Sequence, residues 1–473
     1  MTRINTNVPA LTAVNDLNKN NAELSETLSR LSSGLRINEA GDDPAGLIIS
    51  ELLRGEIGAL NQAVSNSERA SNVLATAEGA LNEVSSLLVT MRELAVQAAN
   101  TGALTSEEIQ AAQLQVDSAV QSITRIANTT SFGGTPLLNG NLDYVTSGVA
   151  TNVVDLSIYS VQFGTNAYVP VVVEVVSAAQ AAQLAFTAAG LSAAQAVTLE
   201  IAGESGVETI SFAGSTANSA IAFAINTVSD VTGVSASLSG GILVFSSVDE
   251  GSDNFVSVNA LNGQFTTRLA ENLAVTTERD TGADANATIN GSSAVANGNL
   301  LTLNTSALSL DLELANGFTG TSSFAITGGG ALFQLGAGIS SNEQVNIGIR
   351  SVAAGRLGSS ETGYLSEITT GGQYSLISGN ASEALDIIDE AILQVASTRG
   401  RLGAFQLNSV ETNINSLNVA IENATAAEST IRDTDFAEET ANLTRAQILV
   451  SAGTTVLSTA NSTPQTVLQL LQS

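Results

Sequence analysis

Few side chains in this sequence could take part in conventional catalysis, since it contains no cysteine, no histidine and a single lysine, Lys19. Thiol catalysis, histidine-based triads and ordinary zinc sites are therefore excluded. Asp and Glu total 45 residues, but no spacing sets two of them as an acid–base pair. The acidic stretch ERDTGAD (278–284) lacks calcium-loop spacing and is interpreted as a solvated loop. These residue types predict no enzyme, no cofactor and no metal site.

The stretch LSSGLRINEAGDDPAGLIIS (31–50) is the strongest candidate for a binding loop, because glycine-rich turns can cradle a ligand. Gly34 and Gly41 offer backbone freedom. Asp43 followed by Pro44 has the form of a helix N-cap and a first helical residue. A phosphate loop would need a preceding strand and a well-placed Lys or Ser/Thr, and both are missing. The pattern therefore predicts a joint between two helices.

The formal net charge of −29 bears on which partners the chain could bind. Nucleic acids and anionic membranes both require a basic surface, so neither is expected as a partner. The first 21 residues hold no apolar core of the kind found in secretory signals, and no apolar run reaches the length of a membrane span. We expect a soluble protein without a cleaved signal peptide and without membrane insertion.

Apolar residues recur near both ends at alternating spacings of three and four, as in coiled-coil seams. The N-terminal stripes are Val14, Leu17, Asn21, Leu24, Leu28, Leu31 and Leu35, and then Leu74, Ala77, Leu81, Val84, Leu88, Met91 and Ala95. The C-terminal stripes are Leu407, Val410, Ile414, Leu417, Ile421, Ala424, Glu428 and Ile431, and then Leu443, Ala446, Val450, Gly453, Leu457 and Ala460. A further helix is predicted over about 106–127, with Thr105 or Ser106 as its N-cap. These stripes predict long helices that pack either within one chain or between copies.

The centre, roughly residues 141–370, switches to short segments of alternating polarity separated by Gly, Ser, Asn and Asp. Such segments are typical of antiparallel strands and turns. Examples are VTLEIAG, ETISFAG, SASLSG, ILVFSS, NFVSVNA, LLTLNT, LDLELA and SSFAITG, and the stretch 215–233 is predicted to hold a short helix. The predicted fold is α+β, with long paired N- and C-terminal helices in a coiled-coil rod and a central, mostly antiparallel β outer region.

Four segments resemble the signatures of bacterial flagellins, and they occur in the expected order. They are LSSGLRINEAGDDPAGLIIS, MRELAVQAANTG (91–102), TSFGGTPLLNG (130–140) and the last 45 residues, from STIRDTDFAEE to the end. Two central segments, 159–176 and 331–352, resemble the FQ-G-A strand next to the flagellin rod. The insertion between them is similar to the IN-type β modules of flagellins and hook-associated proteins.

The resemblance implies three domains. Residues 1–45 and 430–473 correspond to the inner-tube helical domain. Residues 46–176 and 331–429 correspond to the helical rod domain with its β-hairpin region. Residues 177–330 correspond to a variable, surface-exposed β-rich domain that holds the IN-type module.

The resemblance also implies a function and a location. A flagellin is a structural subunit that self-assembles into the extracellular flagellar filament, serves motility and leaves the cell unfolded through the flagellar type III pathway. Its partners are other copies, hook-associated junction and cap proteins, and an export chaperone. The alternative is a hook–filament junction protein, although the intact DDPAGL and PQTVLQLL segments favour a flagellin. Flagellins with a protease insert carry an HExxH motif, which the lack of histidine excludes here.

Two sets of residues are predicted to carry recognition. The polymerisation interface is predicted to consist of Leu17, Leu24, Leu28, Leu31, Leu35, Leu443, Val450 and Leu457. The rod surface that the animal innate flagellin receptor recognises in some flagellins corresponds to Arg92, Glu93, Leu94, Val96 and Gln97. Val89 and Thr90 stand where recognised flagellins carry a polar residue and an arginine. The preferred interpretation of this stretch is therefore rod packing rather than receptor binding.

Overall fold

The computed structural model describes residues 6–164, 166–188, 190–192, 196–360 and 362–472, and the side chains of 464, 465 and 467–472 are left aside. Its helices are α1 Val8–Ser33, α2 Pro44–Ala98, α3 Ser106–Thr129, α4 Asn218–Asn226, α5 Ser229–Thr232, α6 Ala381–Phe405, α7 Thr412–Arg432 and α8 Phe436–Gln472. Short 3₁₀ turns cover Ser341–Glu343, Leu365–Ile368 and Leu376–Ser378. The chain divides into two compact units: Met1–Arg69, Leu335–Gly338 and Ser409–Ser473 form the first, and the remainder forms the second.

In the first unit, α1 and α8 pack side by side and run in opposite directions. Near one end of the pair, the Asn7 side-chain amide donates to the Ala460 carbonyl at 2.8 Å. Near the other end, the Thr434 N–H donates to the Gly34 carbonyl at 3.0 Å. Between these points, α8 presents Gly453 to α1. This antiparallel pair joins the two ends of the chain.

The rest of the first unit holds the early part of α2 together with α7. Their shared core is the small cluster of Leu60, Ala63 and Leu417. Across the same contact, Arg432 donates to the Glu51 carboxylate at 2.8 Å. Most of the stability of these long helices must come from such packing, because propensity alone supports isolated helices weakly in water.

In the second unit, the helical core contains α3, α6 and the later part of α2. Every residue of the predicted stripe from Leu74 to Ala95 is buried, which confirms that stripe as a core face. The predicted third helix is present as α3, and Thr105 caps it in a reciprocal capping box with Glu108. Local periodicity and capping chemistry were sufficient to locate both elements.

One predicted stripe is interrupted. Residues Gln406–Glu411 form a π-helical stretch between α6 and α7. Because the wider turn of a π-helix adds a residue to the register, the inward face shifts. Val410 is buried, whereas Leu407 is exposed, so Leu407 does not share the inward face of Val410 within a single chain.

The β region consists of short strands whose pairings among the described residues are all antiparallel. The strands up to the short helices are β1 Ser131–Phe132, β2 Thr135–Pro136, β3 Tyr144–Ser147, β4 Val153–Val161, β5 Val169–Ser177, β6 Gln183–Phe186, β7 Val197–Ala202 and β8 Val207–Phe212. Those that follow are β9 Val234–Ser239, β10 Ile242–Ser247, β11 Phe255–Asn262, β12 Arg268–Leu269, β13 Arg279–Thr281, β14 Asn286–Ile289, β15 Ser292–Ser293 and β16 Val295–Asn297. The last are β17 Leu300–Asn304, β18 Leu308–Leu314, β19 Gly320–Gly329, β20 Ala331–Gln334, β21 Gln344–Ile347, β22 Gly358–Ser359 and β23 Gly363–Tyr364.

These strands build two cores. A six-stranded sheet (β16-β17-β18-β4-β21-β20) and a five-stranded sheet (β15-β14-β5-β19-β3) share one core. Two four-stranded sheets (β12-β6-β10-β9 and β13-β11-β7-β8) enclose a second core together with α4. The eight predicted strand segments and the predicted short helix are all present, so the α+β prediction is confirmed. None of the described helices combines the length and hydropathy needed to cross a membrane.

Candidate functional site

The segment that joins α1 to α2 is built as the sequence predicts. Gly34 ends α1 in the left-handed conformation at φ +74°, and its N–H donates to the Arg30 carbonyl. Asp43 caps α2 by accepting a hydrogen bond of 2.9 Å from the Gly46 N–H, and Pro44 is the first helical residue. Gly41 has an ordinary backbone conformation with open space around it, so nothing there requires glycine.

Two further residues of this joint were not singled out by their sequence pattern. A Cβ on Gly46 would lie 2.5 Å from Asp43 Oδ2 and 2.8 Å from the buried Ile37 side chain. Asp42 Oδ2 accepts hydrogen bonds from the backbone N–H groups of Glu39 and Asn38. These bonds, the one from Glu39 foremost, lower the pKa of Asp42. Hydrogen bonds and close packing among residues of the joint itself therefore stabilise its conformation.

The predicted polymerisation residues fall into two groups in the structure. Leu17, Leu24, Leu31, Leu35, Leu443, Val450 and Leu457 are half-buried within the chain. Leu28 is 48% exposed. A Cβ on Gly453 would lie 3.2 Å from the Leu17 side chain, which shows how closely α8 approaches α1.

The inward face of α1 differs from the predicted seam. It carries Ala13 and Thr27, whereas Val14, Asn21 and Leu28 are exposed. Within a single chain, these three residues of the predicted stripe are therefore not part of the packed face. Small side chains occupy alternate inward positions because they allow the close approach of α8, which leaves the bulkier neighbours outside.

A set of large apolar side chains on the helices of the first unit is exposed. They are Val8, Leu11, Val14, Leu28, Ile48, Ile49, Leu52, Val419, Phe436, Ile448, Leu449 and Val456. We call this set the outer apolar face. Exposed apolar side chains that form a contiguous patch are typical of surfaces that bind another protein. Most of these residues lie outside the predicted seams. The sequence signal that could have identified them is a second row of apolar residues on a helix whose first apolar row already forms its packed face.

The receptor-like surface is only partly accessible. The Arg92 guanidinium donates to both carboxylate oxygens of Asp389, at 2.7 and 3.3 Å. This hydrogen bond with Asp389, together with the charge of Asp389, raises the pKa of Arg92. Leu94 is buried, while Glu93, Val96 and Gln97 are exposed. An intramolecular ion pair thus engages the arginine, and the leucine belongs to the core.

No group of three acidic side chains within the described ranges is arranged to hold a metal ion. What the structure offers instead is an antiparallel pair of terminal helices, an apolar surface beside it and a β-rich remainder. These features are typical of helical structural proteins.

Comparison with known proteins agrees with this class. The model of the bacterial flagellin N-terminal helical region matches residues 4–143, that of the C-terminal helical region matches 385–471, and that of the flagellin hook IN motif matches 198–249. The chain is 31% identical to flagellin B of Helicobacter pylori over 527 residues, with 99% of each chain covered. It is also 31% identical to the B-type flagellin of Pseudomonas aeruginosa over 537 residues, again with 99% of each covered.

The similarity of this chain to solved structures is weaker. A flagellar hook-associated protein 3 from Legionella pneumophila is 14% identical at a TM-score of 0.31, covering 80% of this chain and 98% of its own. FliC from Burkholderia pseudomallei is 17% identical at a TM-score of 0.25, covering 73% and 99%. Both scores are too low to define a shared overall arrangement.

The chain belongs to the bacterial flagellin family. It is a structural subunit of the flagellar filament, an extracellular structure. The alternative of a hook–filament junction protein has no better support, because the full-length relatives above are flagellins. The resemblance found in the sequence is thereby confirmed.

Proposed function

We propose that copies of this chain polymerise through the outer apolar face of the first unit. The observation that carries this proposal is the exposure of large apolar side chains, such as Leu11, Leu52 and Ile448, on helices whose inward faces are already packed. Their backbone hydrogen bonds are made within the helices, so burial against another copy needs no new backbone partner.

The predicted interface residues take two roles under this proposal. Leu17, Leu24, Leu31, Leu443, Val450 and Leu457 hold α1 against α8, Leu35 holds the segment after α1 beside Asp433, and the outer apolar face meets the neighbouring copy. Leu28 belongs to the second group because it is exposed. A helix pair formed first within each chain would present the outer face in a fixed arrangement, which lowers the entropy lost on assembly.

The magnitudes favour assembly over a permanently exposed face. Full burial of a leucine or isoleucine side chain contributes about 1.5–3 kcal/mol. The combined burial of a dozen such residues at contacts with neighbours can exceed the association cost, which is about 4–15 kcal/mol. The face is therefore large enough to support a stable polymer.

Leu52→Ser provides the test, with Leu261→Ser as the matched control. Leu52 is 69% exposed in α2 of the first unit, whereas Leu261 is an exposed leucine of β11 in the second. Elongation of short filament seeds, followed by electron microscopy and sedimentation, should be about tenfold or more slower for Leu52→Ser, because a large apolar anchor is lost. The thermal unfolding of both monomers should stay close to that of the parent.

Two results would count against the outer apolar face. One is normal elongation by Leu52→Ser. The other is an equal loss in Leu261→Ser, which would show that any exposed leucine matters as much.

We also propose the three-domain organisation predicted above. The antiparallel contact of α1 with α8 supports an inner domain of residues 1–45 and 430–473. The match of residues 198–249 to the flagellin hook IN motif supports a separate outer domain within 177–330. Residues 46–176 and 331–429 would then form the rod.

Export through the flagellar type III pathway with the help of a chaperone is a further part of the proposal. A chain without cysteine and with five prolines suits export in an unfolded form, since neither disulfides nor many slow prolyl isomerisations would delay refolding.

Contacts with junction and cap proteins would use the same outer apolar face. Binding to the animal innate receptor would rely on Glu93, Val96 and Gln97.

A further inference from the structure

Five Asn–Gly pairs occur in this chain, and in each of them the glycine adopts a positive φ that suits a tight turn. They are Asn139–Gly140, Asn262–Gly263, Asn290–Gly291, Asn297–Gly298 and Asn316–Gly317. Glycine has no Cβ to shield its backbone nitrogen, so that nitrogen can approach the side-chain amide carbon of the preceding asparagine. Each pair is therefore a candidate site of spontaneous deamidation, and its surroundings decide whether the reaction can proceed.

Hydrogen bonds block two of the pairs. Asn290 Oδ1 accepts from the Val172 N–H at 2.8 Å, and Asn290 Nδ2 donates to the Pro170 carbonyl at 3.1 Å. Both ends of this amide are thus held against β5. At the second pair, the Gly298 N–H donates to Asp284 Oδ1 at 2.9 Å, so the attacking nitrogen is already engaged. Each reaction would first have to break these bonds.

Packing hinders two other pairs. Asn139 is half-buried, and its Oδ1 accepts from the Asn141 N–H at 3.0 Å. Asn262 is exposed, but a Cβ on Gly263 would lie 2.7 Å from the Ala196 carbonyl oxygen. The backbone at Gly263 therefore has little room for the rotation that ring closure requires.

The fifth pair is free to react. Asn316 and Gly317 are both exposed in the turn between β18 and β19, which the Phe318 N–H closes by donating to the Ala315 carbonyl at 3.1 Å. Apart from its chain neighbours, no described heavy atom lies within 4 Å of a Cβ placed on Gly317. The Gly317 N–H donates no hydrogen bond within the described part of the chain. The attacking nitrogen is thus accessible, and the backbone has room to turn.

A neighbouring side chain also supports the reaction at this pair. Asn299 Nδ2 donates one hydrogen to Asn316 Oδ1 at 2.9 Å and the other to Glu250 Oε2 at 2.7 Å. Negative charge develops on the amide oxygen while the ring closes, and a donor that is already in place there stabilises it. The Glu250 carboxylate, through its charge-assisted hydrogen bond, keeps Asn299 in this orientation.

We infer that Asn316 is a site of spontaneous deamidation, and that in the folded chain it reacts faster than the asparagines of the four other pairs. The Gly317 nitrogen bonds to Asn316 Cγ, the Cγ–Nδ2 bond breaks, and Nδ2 leaves as ammonia with the proton that the Gly317 nitrogen loses. Water then opens the resulting succinimide. Attack of water at Cγ leaves aspartate at position 316, whereas attack at the backbone carbonyl carbon leaves isoaspartate.

The modification changes both the charge and the shape of the turn. Either product adds one negative charge to a chain whose net charge is −29. An aspartate would accept a stronger, charge-assisted hydrogen bond from Asn299, and an isoaspartate would lengthen the main chain by one carbon atom. The site belongs to the second unit and contains no residue of the outer apolar face, so the inference does not depend on the proposed polymerisation.

The parent chain provides the first test. Folded monomer is incubated in mildly alkaline buffer and digested at intervals, and mass spectrometry with peptide fragmentation assigns each amide-to-carboxyl conversion to its asparagine. Asn316 should react about fivefold or more faster than Asn290 and Asn297, because the hydrogen bonds at those pairs must break first. In a denaturing buffer the three rates should converge. Equal rates in the folded chain, or faster reaction at any of the four other pairs, would overturn the inference.

A variant tests the contribution of Asn299. Asn299→Ala should slow the deamidation of Asn316 by about fivefold, the factor expected for one neutral hydrogen bond. Asn304→Ala removes an exposed amide at the far end of β17 and provides the matched control, for which an unchanged rate is expected. Unchanged or faster reaction at Asn316 in Asn299→Ala, while Asn290 stays slow, would contradict the role of Asn299. A variant that fails to fold is identified by faster reaction at Asn290, and the parent chain then decides the inference.

Discussion

Two glycines of α2, Gly46 beside the joint with α1 and Gly58 further along the helix, differ in the space around them. Gly46 sits against the Asp43 carboxylate and Ile37, so a methyl group there has no room. Gly58 has no neighbour within 4 Å of a Cβ placed on it. The sequence alone does not distinguish these two glycines. Their tertiary contacts show that position 46 requires glycine, whereas position 58 has room for a larger side chain.

We therefore expect opposite effects from Gly46→Ala and Gly58→Ala. The first should lower the free energy of unfolding by about 1–3 kcal/mol, because either the Asp43 cap or Ile37 must move. The second should raise it by up to about 1 kcal/mol, since alanine favours the helix over glycine. Thermal or denaturant unfolding of the dilute monomer measures both. A stabilising Gly46→Ala would contradict the packing of this joint.

At the scale of whole elements, the contact between α1 and α8 depends on small residues. Gly453 of α8 faces Leu17 of α1, and Ala13 and Thr27 occupy inward positions on α1. Close helix packing of this kind places backbones near one another and leaves little space for a larger side chain. We therefore expect the α1–α8 helix pair to tolerate substitutions on its solvent-exposed side better than substitutions that enlarge a side chain at the contact between the two helices.

Gly453→Val should loosen the helix pair, because a valine Cβ would lie about 3.2 Å from the Leu17 side chain and its methyl groups would clash. The expected loss is about 1–3 kcal/mol, seen as faster hydrogen exchange in the amides of α1. Leu17→Ala combined with Gly453→Val should recover part of that loss, since the removed volume makes room. Additive losses in the double variant would argue against direct contact.

At the scale of the whole molecule, the balance of 16 basic and 45 acidic residues governs association. In the proposed polymerisation, long-range repulsion between copies opposes the apolar attraction of the outer apolar face. Salt screens the repulsion and leaves the apolar attraction in place, since the Debye length falls from about 30 Å at 0.01 M to about 8 Å at 0.15 M. We therefore expect charge to set the rate of the proposed assembly and apolar burial to set its stability.

Seed elongation should accelerate as the salt concentration rises from about 0.01 to 0.15 M. Light scattering with electron microscopy follows this salt series. Elongation that slows steadily with salt would show that attractive ion pairs dominate assembly, contrary to this balance.

Local patterns in the sequence were sufficient for much of the fold. Apolar spacing located the buried stripe from Leu74 to Ala95, the Asp43-Pro44 pair located the start of α2, and alternation located the central strands. Each of these signals lies within a few residues of the element it predicts, which is why the sequence carries it. The same local motifs carried the resemblance to flagellins.

Contacts between distant segments were decided by the tertiary structure alone. The inward face of α1 depends on α8, more than 400 residues later, so the spacing of Val14 and Leu28 could not reveal that both stay exposed. The π-helical turn moved Leu407 out of its stripe for a similar reason. Asp311 and Arg356 line one cavity of the second unit although they are separated in the sequence, because sheet pairing and helix packing, rather than spacing, place them together.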